Sequence, residues 1–269
     1  MKQWLVVAAL LMTAPAQSAD MVHLYSAGSL RDALDETRAA FTQATGIAVE
    51  AKYGPSGLLK DEIAGGAEAD VFASANMDHP QALARAGKGG PVVLFARNRL
   101  CALVRPGLAV DQTTLLDRML DPTIKLGTST PKSDPSGDYA WEVFRKADAL
   151  RPGAFAALST KALQLMGGPN SPPSPAGRGL YGALVADGKA DILLVYCTGA
   201  HAAQRENPDQ HIVEFPEALA VGADYGLTVM LNAPPAAYRL AMFILSDGQR
   251  IFANQGFVAP NLPSSAAGR

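Results

Sequence analysis

Apolar positions along this chain switch repeatedly between a period of two and a period near 3.6. In residues 22–41, VHLYSAGSLRDALDETRAAF, Val22 and Leu24 read as a short buried strand and Ala27-Gly28-Ser29 as a tight turn. Leu30, Leu34, Thr37 and Phe41 then fall on one face of a helix. Residues 47–53, IAVEAKY, alternate as a strand, Gly54-Pro55-Ser56-Gly57 turns, and residues 58–63 open a helix that stops at Gly65-Gly66. A third strand over 69–74 follows, with Asn76 and Asp78 placed to cap a helix over 80–85. Strands alternating with helices imply a mostly parallel α/β sheet.

The alternation continues. Residues 91–104, PVVLFARNRLCALV, form a strand-rich run interrupted at Arg97-Asn98-Arg99. A helix over 114–119, a strand over 124–127, a turn-rich stretch over 128–138 (TSTPKSDPSGD) and a helix over 139–146 come next. Residues 158–165 pattern as a helix, and 166–179, MGGPNSPPSPAGRG, as a loop that delivers Arg178 to the start of a helix over 180–186. Strands over 192–196, 212–215 and 225–231 and helices over 200–205, 235–245 and 249–254 complete the pattern.

With 269 residues, 48% of them hydrophobic, the chain is long enough for two lobes of ordinary size. A formal charge of −2 and the lack of a basic run argue against nucleic acid as a partner. Lys2, the apolar stretch 4–12 and Ala14-Pro15-Ala16 read as a secretory signal over 1–19, cut after Ala16 or Ala19, so export to the periplasm is expected. Cys101 and Cys197 both sit in apolar strand-like runs, and either a disulfide or two buried thiols fits them.

Three serines stand where a strand hands over to a helix: Ser29, Ser56 and Ser136. Any one alone is an ordinary helix cap. Together, at the strand C-termini of an α/β sheet, their hydroxyls and the backbone N–H groups beside them can converge on a small anion. Each charge-assisted hydrogen bond contributes about 1.5–3 kcal/mol. A helix terminus adds ~0.3–1 kcal/mol. Five or six donors therefore reach micromolar binding, about −8 kcal/mol. A serine hydrolase using Ser29 or Ser56 is the weaker reading, because SAGSL and GPSGL depart from G-x-S-x-G. The four histidines lack metal-ligand spacing, and there is no phosphate loop or dinucleotide fingerprint, so neither a bare metal cation nor a cofactor is expected.

Ala27-Gly28-Ser29-Leu30, Gly54-Pro55-Ser56-Gly57, Ala69 to Ser74, Pro135-Ser136-Gly137-Asp138-Tyr139-Ala140, Val195-Tyr196 and the closing Gly256-Phe257 resemble, in matching order over about 22–258, the periplasmic molybdate-binding proteins. These are the substrate-binding components of ABC importers for molybdate and tungstate. The resemblance implies a two-lobed periplasmic binding protein fold, each lobe a mostly parallel sheet flanked by helices, joined by crossover strands. It implies one lobe over 20–98 plus 224–269 and another over 99–223, with the oxyanion in the cleft.

Carried over by motif, the oxyanion ligands are Ser29, Ser56, Ser136 and Tyr196. A remaining backbone donor aligns near Arg178, a departure from the family's apolar residue. That arginine is open to three roles: a charged fork on the anion, a salt bridge between lobes, or a solvent-facing side chain. If it enters the cleft, a small carboxylate, a phosphonate or a sulfate-like ion becomes an alternative ligand. The implied partners are the oxyanion and an ABC permease, and a monomer is expected.

Overall fold

The computed structural model describes residues 21–173 and 177–260. The expected signal segment with both cleavage options, and Pro175 of the long loop, lie outside the described residues. Strand β1 (Met21–Ala27) pairs in parallel with β2 (Ala48–Gly54) on one side and with β3 (Val71–Ser74) on the other. Helix α1 (Arg31–Thr45) buries Ala33, Leu34, Thr37 and Phe41 against this sheet, which is the stripe its sequence spacing requires. Gly46, at φ +73°, ends it in the left-handed conformation that glycine adopts without strain. Helices α2 (Ser56–Ala64) and α3 (Asp78–Arg85) complete this side, and Asn76 does cap α3 by accepting the His79 N–H at 3.1 Å.

Strand β4 (Val93–Val104) links everything that follows. It runs unbroken through Arg97-Asn98-Arg99, where the sequence reading expected an interruption. The polar residues there are strand positions with partners: Arg97 pairs with Asp224, Arg99 with Glu214, and Asn98 is buried. Beyond β4 come α4 (Leu115–Leu120), β5 (Leu126–Ser129), α5 (Pro135–Leu150), α6 (Ala154–Lys161), β6 (Leu163–Met166), α7 (Leu180–Ala186), β7 (Ile192–Tyr196), α8 (Cys197–Glu206), β8 (His211–Glu214) and β9 (Gly222–Val229). Helices α9 (Pro235–Leu245) and α10 (Gly248–Asn254) return to pack on α1.

The strands run in the order β2-β1-β3-β9-β4-β7-β5-β6, with β8 also on β4. Residues 93–99 of β4 pair with β9, whereas Leu100–Val104 pair with β7 and Cys101–Val104 with β8. One strand thus belongs to two sheets, a β1 side and a β5 side. Pairs among the outer strands of each side are parallel, and every pair involving β4 or β9 is antiparallel.

Two expectations are corrected here. Helix α5 begins at Pro135 rather than 139, because proline at its first position and the Asp134 carboxylate on the Ser136 N–H make Asp-Pro-Ser a helix start. Residues 158–165 are not one helix: α6 ends at Lys161, and Leu163–Met166 form an edge strand beside β5. The cysteine alternatives resolve to a disulfide, Cys101–Cys197, tying β4 to the first residue of α8.

Candidate functional site

Ser29 sits in the 3-10 turn Gly28–Leu30 that leads from β1 into α1. Ser56 is the first residue of α2, and Ser136 the second of α5. None of the three side chains caps its own helix. Asp134 performs that function for α5. The ordinary explanation for a serine at a helix start therefore fails at all three positions, and their hydroxyls are directed elsewhere.

All three lie near the junction of the two sides. Ser56 Oγ accepts the Ala75 N–H at 3.1 Å, just past the end of β3. The Ala75 carbonyl is approached from the β5 side by two tyrosine hydroxyls, Tyr139 at 3.4 Å and Tyr196 at 3.5 Å. Both lie at the outer limit of a hydrogen bond, so neither hydroxyl is well spent. Tyr196 is 2% exposed at the C-terminal end of β7. Its ring packs 5.5 Å from Tyr225, whose hydroxyl lies 3.1 Å from Ser29 Oγ. The Gly57 N–H donates to the Ser133 carbonyl at 2.9 Å, bringing the starts of α2 and α5 together. Ser136 Oγ, at that second start, is buried and makes no hydrogen bond. A buried hydroxyl without a partner is costly and unusual, and marks a group awaiting one.

The electrostatics fit neutral donors. Burial pushes the Tyr196 and Tyr225 phenols well above their ordinary range, so both remain protonated donors at neutral pH. Asp134 is the one carboxylate that caps α5; it accepts from Ser136 N–H at 3.2 Å and Ser129 Oγ at 2.6 Å. Burial raises its pKa above 3.8.

Arg178 stands apart from the hydroxyl cluster. It pairs with Asp187 on its own side at 3.1 Å and lines a cavity that it shares with Ser29. Sequence reasoning did not single out Ala75, Asn98, Tyr139 or Tyr225. Asn98 Nδ2 donates to Thr198 Oγ1 at 2.8 Å and reaches Tyr225 OH at 3.4 Å, joining the cluster to the start of α8. The signal available was modest: Asn98 is an uncharged polar residue inside an apolar strand, and Tyr225 opens the run YGLTVML.

The model of the bacterial extracellular solute-binding protein family matches residues 22–258. The chain belongs to that family. Such a protein carries its solute and neither catalyses nor holds a cofactor, and the family's description places it outside the cytoplasm. The chain is similar to an uncharacterized protein of Pasteurella multocida, 32% identical over 89% of this chain and 99% of the relative. It is also similar to the molybdate-binding protein ModA of Mycobacterium tuberculosis, 26% identical over 91% and 87%. Among solved structures, the periplasmic molybdate-binding protein of Azotobacter vinelandii superposes with a TM-score of 0.70 at 20% identity, over 89% of this chain and 99% of that one. The sulfate-binding protein SubI of Mycobacterium tuberculosis superposes with a TM-score of 0.71 at 20% identity, over 90% and 88%. Both superpositions show the two-lobed solute-binding fold.

Proposed function

We propose that this protein captures molybdate or tungstate between its two sides and delivers it to an ABC permease in the membrane. The observation that supports this most is the set of underused hydroxyls at the junction: Ser136 Oγ without a partner, Tyr196 with only a 3.5 Å contact, and Ser29 and Ser56 not used as caps. Hydroxyl and backbone N–H donors bind an oxyanion through its oxygens without a compensating charge. The ModA relatives and the Azotobacter vinelandii structure point to molybdate among the oxyanions.

In this reading Ser29 and Ser56 donate from the β1 side, and Ser136 and Tyr196 from the β5 side. The lobes are residues 20–98 with 224–269, and 99–223, hinged where β4 passes from β9 to β7. The anion touches both lobes only when they are closed, so its differential affinity shifts the population toward the closed state that the permease recognises. The carrier works as a monomer in the periplasm after its signal segment is removed. Size discrimination against sulfate follows from how far apart the two sets of donors are held.

A second reading, a different small anion, is favoured by Arg178 on the cavity beside Ser29 and by the likeness to a sulfate-binding fold. Calorimetric titration of Ser29→Ala, Ser56→Ala and Arg178→Ala separates the two. The first reading expects the serine variants to lose about 1–3 kcal/mol of molybdate binding each. It expects Arg178→Ala to keep it. The second expects the arginine variant to lose the anion that binds.

A further inference from the structure

The Ala75 carbonyl oxygen, just past β3, is met by two phenols from the opposite side of the junction, Tyr139 at 3.4 Å and Tyr196 at 3.5 Å. The two donors are not equivalent. Tyr196 is buried at the end of β7, with its ring 5.5 Å from Tyr225, and so belongs to the hydroxyl cluster. Tyr139 is half-buried on α5, three residues after Ser136, which puts both on one face of that helix. Its ring meets that of Tyr196 edge-on at 6.2 Å.

The acceptor is fixed from its own side. Ser56 Oγ accepts the Ala75 N–H at 3.1 Å. Ser74 Oγ accepts the Asn76 N–H at 3.2 Å and donates to Asn76 Oδ1 at 3.0 Å. The Gly226 N–H of β9 donates to the Asn76 carbonyl at 3.3 Å. Ala75 therefore stands between two tied residues, and it connects Ser56 on the β1 side with Tyr139 on the β5 side.

Charge separates the roles of the two tyrosines. Burial pushes the Tyr139 phenol above its ordinary range, so it remains a donor at neutral pH. The charges that add to this effect are four carboxylates, Asp224 and Asp78 from the β1 side and Glu142 and Asp138 from α5. Such surroundings repel an oxyanion and leave a neutral carbonyl acceptor unaffected.

We propose that Tyr139 is the latch of the closed protein: its hydroxyl donates to the Ala75 carbonyl when the two sides meet, while Tyr196 turns from that carbonyl to the anion. The proposal rests on the anion site lying at this junction. Tyr139 is a positioning residue and touches no ligand. Its bond exists only in the closed state, because on opening the phenol and the carbonyl return to water. One neutral hydrogen bond shifts the closed-to-open ratio by about three- to tenfold. A bias of that size aids the closure that the anion drives and does not replace it.

The test is Tyr139→Phe, which keeps the ring and removes the hydroxyl, compared with the natural protein by calorimetry and stopped-flow fluorescence with molybdate. The variant releases molybdate about three- to tenfold faster, and its dissociation constant rises by the same factor. Its association rate and the unfolding temperature of its apo form stay unchanged. A crystal structure of the natural protein with molybdate shows the Tyr139 hydroxyl on the Ala75 carbonyl and off the anion. An unchanged release rate, in a natural protein that binds molybdate, overturns the latch and leaves the anion site standing. A Tyr139 hydroxyl bonded to the anion in that crystal structure does the same. A lowered unfolding temperature with both rates unchanged reduces Tyr139 to a packing residue and also overturns the latch. No binding of molybdate by the natural protein overturns the anion site and the latch together.

Discussion

The hydroxyls of Ser29 and Tyr225 are 3.1 Å apart, although 196 residues separate them in the chain. The first lies in the turn that follows the opening strand; the second lies in the last strand, which returns to pair with β3 and β4. Tyr225 is fully buried and is itself reached by Asn98 at 3.4 Å. Its hydroxyl therefore fixes the orientation of the Ser29 hydroxyl from a rigid position. Ser29→Ala is expected to weaken oxyanion binding by about 1–3 kcal/mol while the apo protein keeps its unfolding temperature. Tyr225→Phe, which frees Ser29 to rotate, weakens it by less. Titration calorimetry on both variants checks the order.

Gly57 packs against the start of α5, its N–H donating to the Ser133 carbonyl at 2.9 Å. A Cβ added there would lie 2.3 Å from the Lys132 carbonyl oxygen and 2.7 Å from that of Ser133, both backbone atoms that cannot step aside as a side chain does. Gly57→Ala is expected to hold the sides apart, abolishing detectable anion binding while each side stays folded. Small-angle scattering with saturating molybdate reads a compaction in the natural protein and none in the variant.

Asp134 places a carboxylate at the start of α5, and its charge is felt at Tyr196, whose pKa it helps to raise. Its own pKa is raised from 3.8 by burial. An acid with a raised folded pKa binds more protons folded than unfolded, so stability falls as pH climbs from 3.8 through the raised value. Asp134→Asn retains an oxygen for the Ser136 N–H and removes the charge. The variant gains unfolding temperature relative to the natural protein across about pH 4–7, and binds oxyanions severalfold more tightly near neutral pH. A relative loss of stability with rising pH contradicts this.

The Cys101–Cys197 bridge closes a 96-residue separation and anchors α8 directly after Tyr196. Removing both sulfurs by Cys101→Ala with Cys197→Ala is expected to cost about 2–5 kcal/mol, read from denaturant unfolding. A thiol assay of the unfolded, unreduced protein gives no free thiol.

Much of this architecture is legible in the sequence because its signals are local. The strand–turn–helix junctions at Ser29 and Ser56 follow from apolar period and small residues. The Arg97-Asn98-Arg99 segment of β4 was hard to read, because charged strand residues find their partners, Asp224 and Glu214, more than a hundred residues away. Asp-Pro-Ser at 134–136 misleads for another reason: the same residues signal a turn and a helix start, and only the Asp134 bond to Ser136 N–H distinguishes them. Leu163–Met166 pairs with β5, and a four-residue edge strand has too few positions to show its period. Asn98 and Tyr225 escaped notice because each matters only through contacts that the fold creates.

Titration of the purified protein with molybdate and tungstate, beside sulfate and phosphate, tests the central claim most directly. The account predicts dissociation constants of about 1 μM or below for the first two, near −8 kcal/mol, and far weaker binding of the smaller ions. Tight binding of sulfate or phosphate with none of molybdate, or no binding of any of the four, would contradict it.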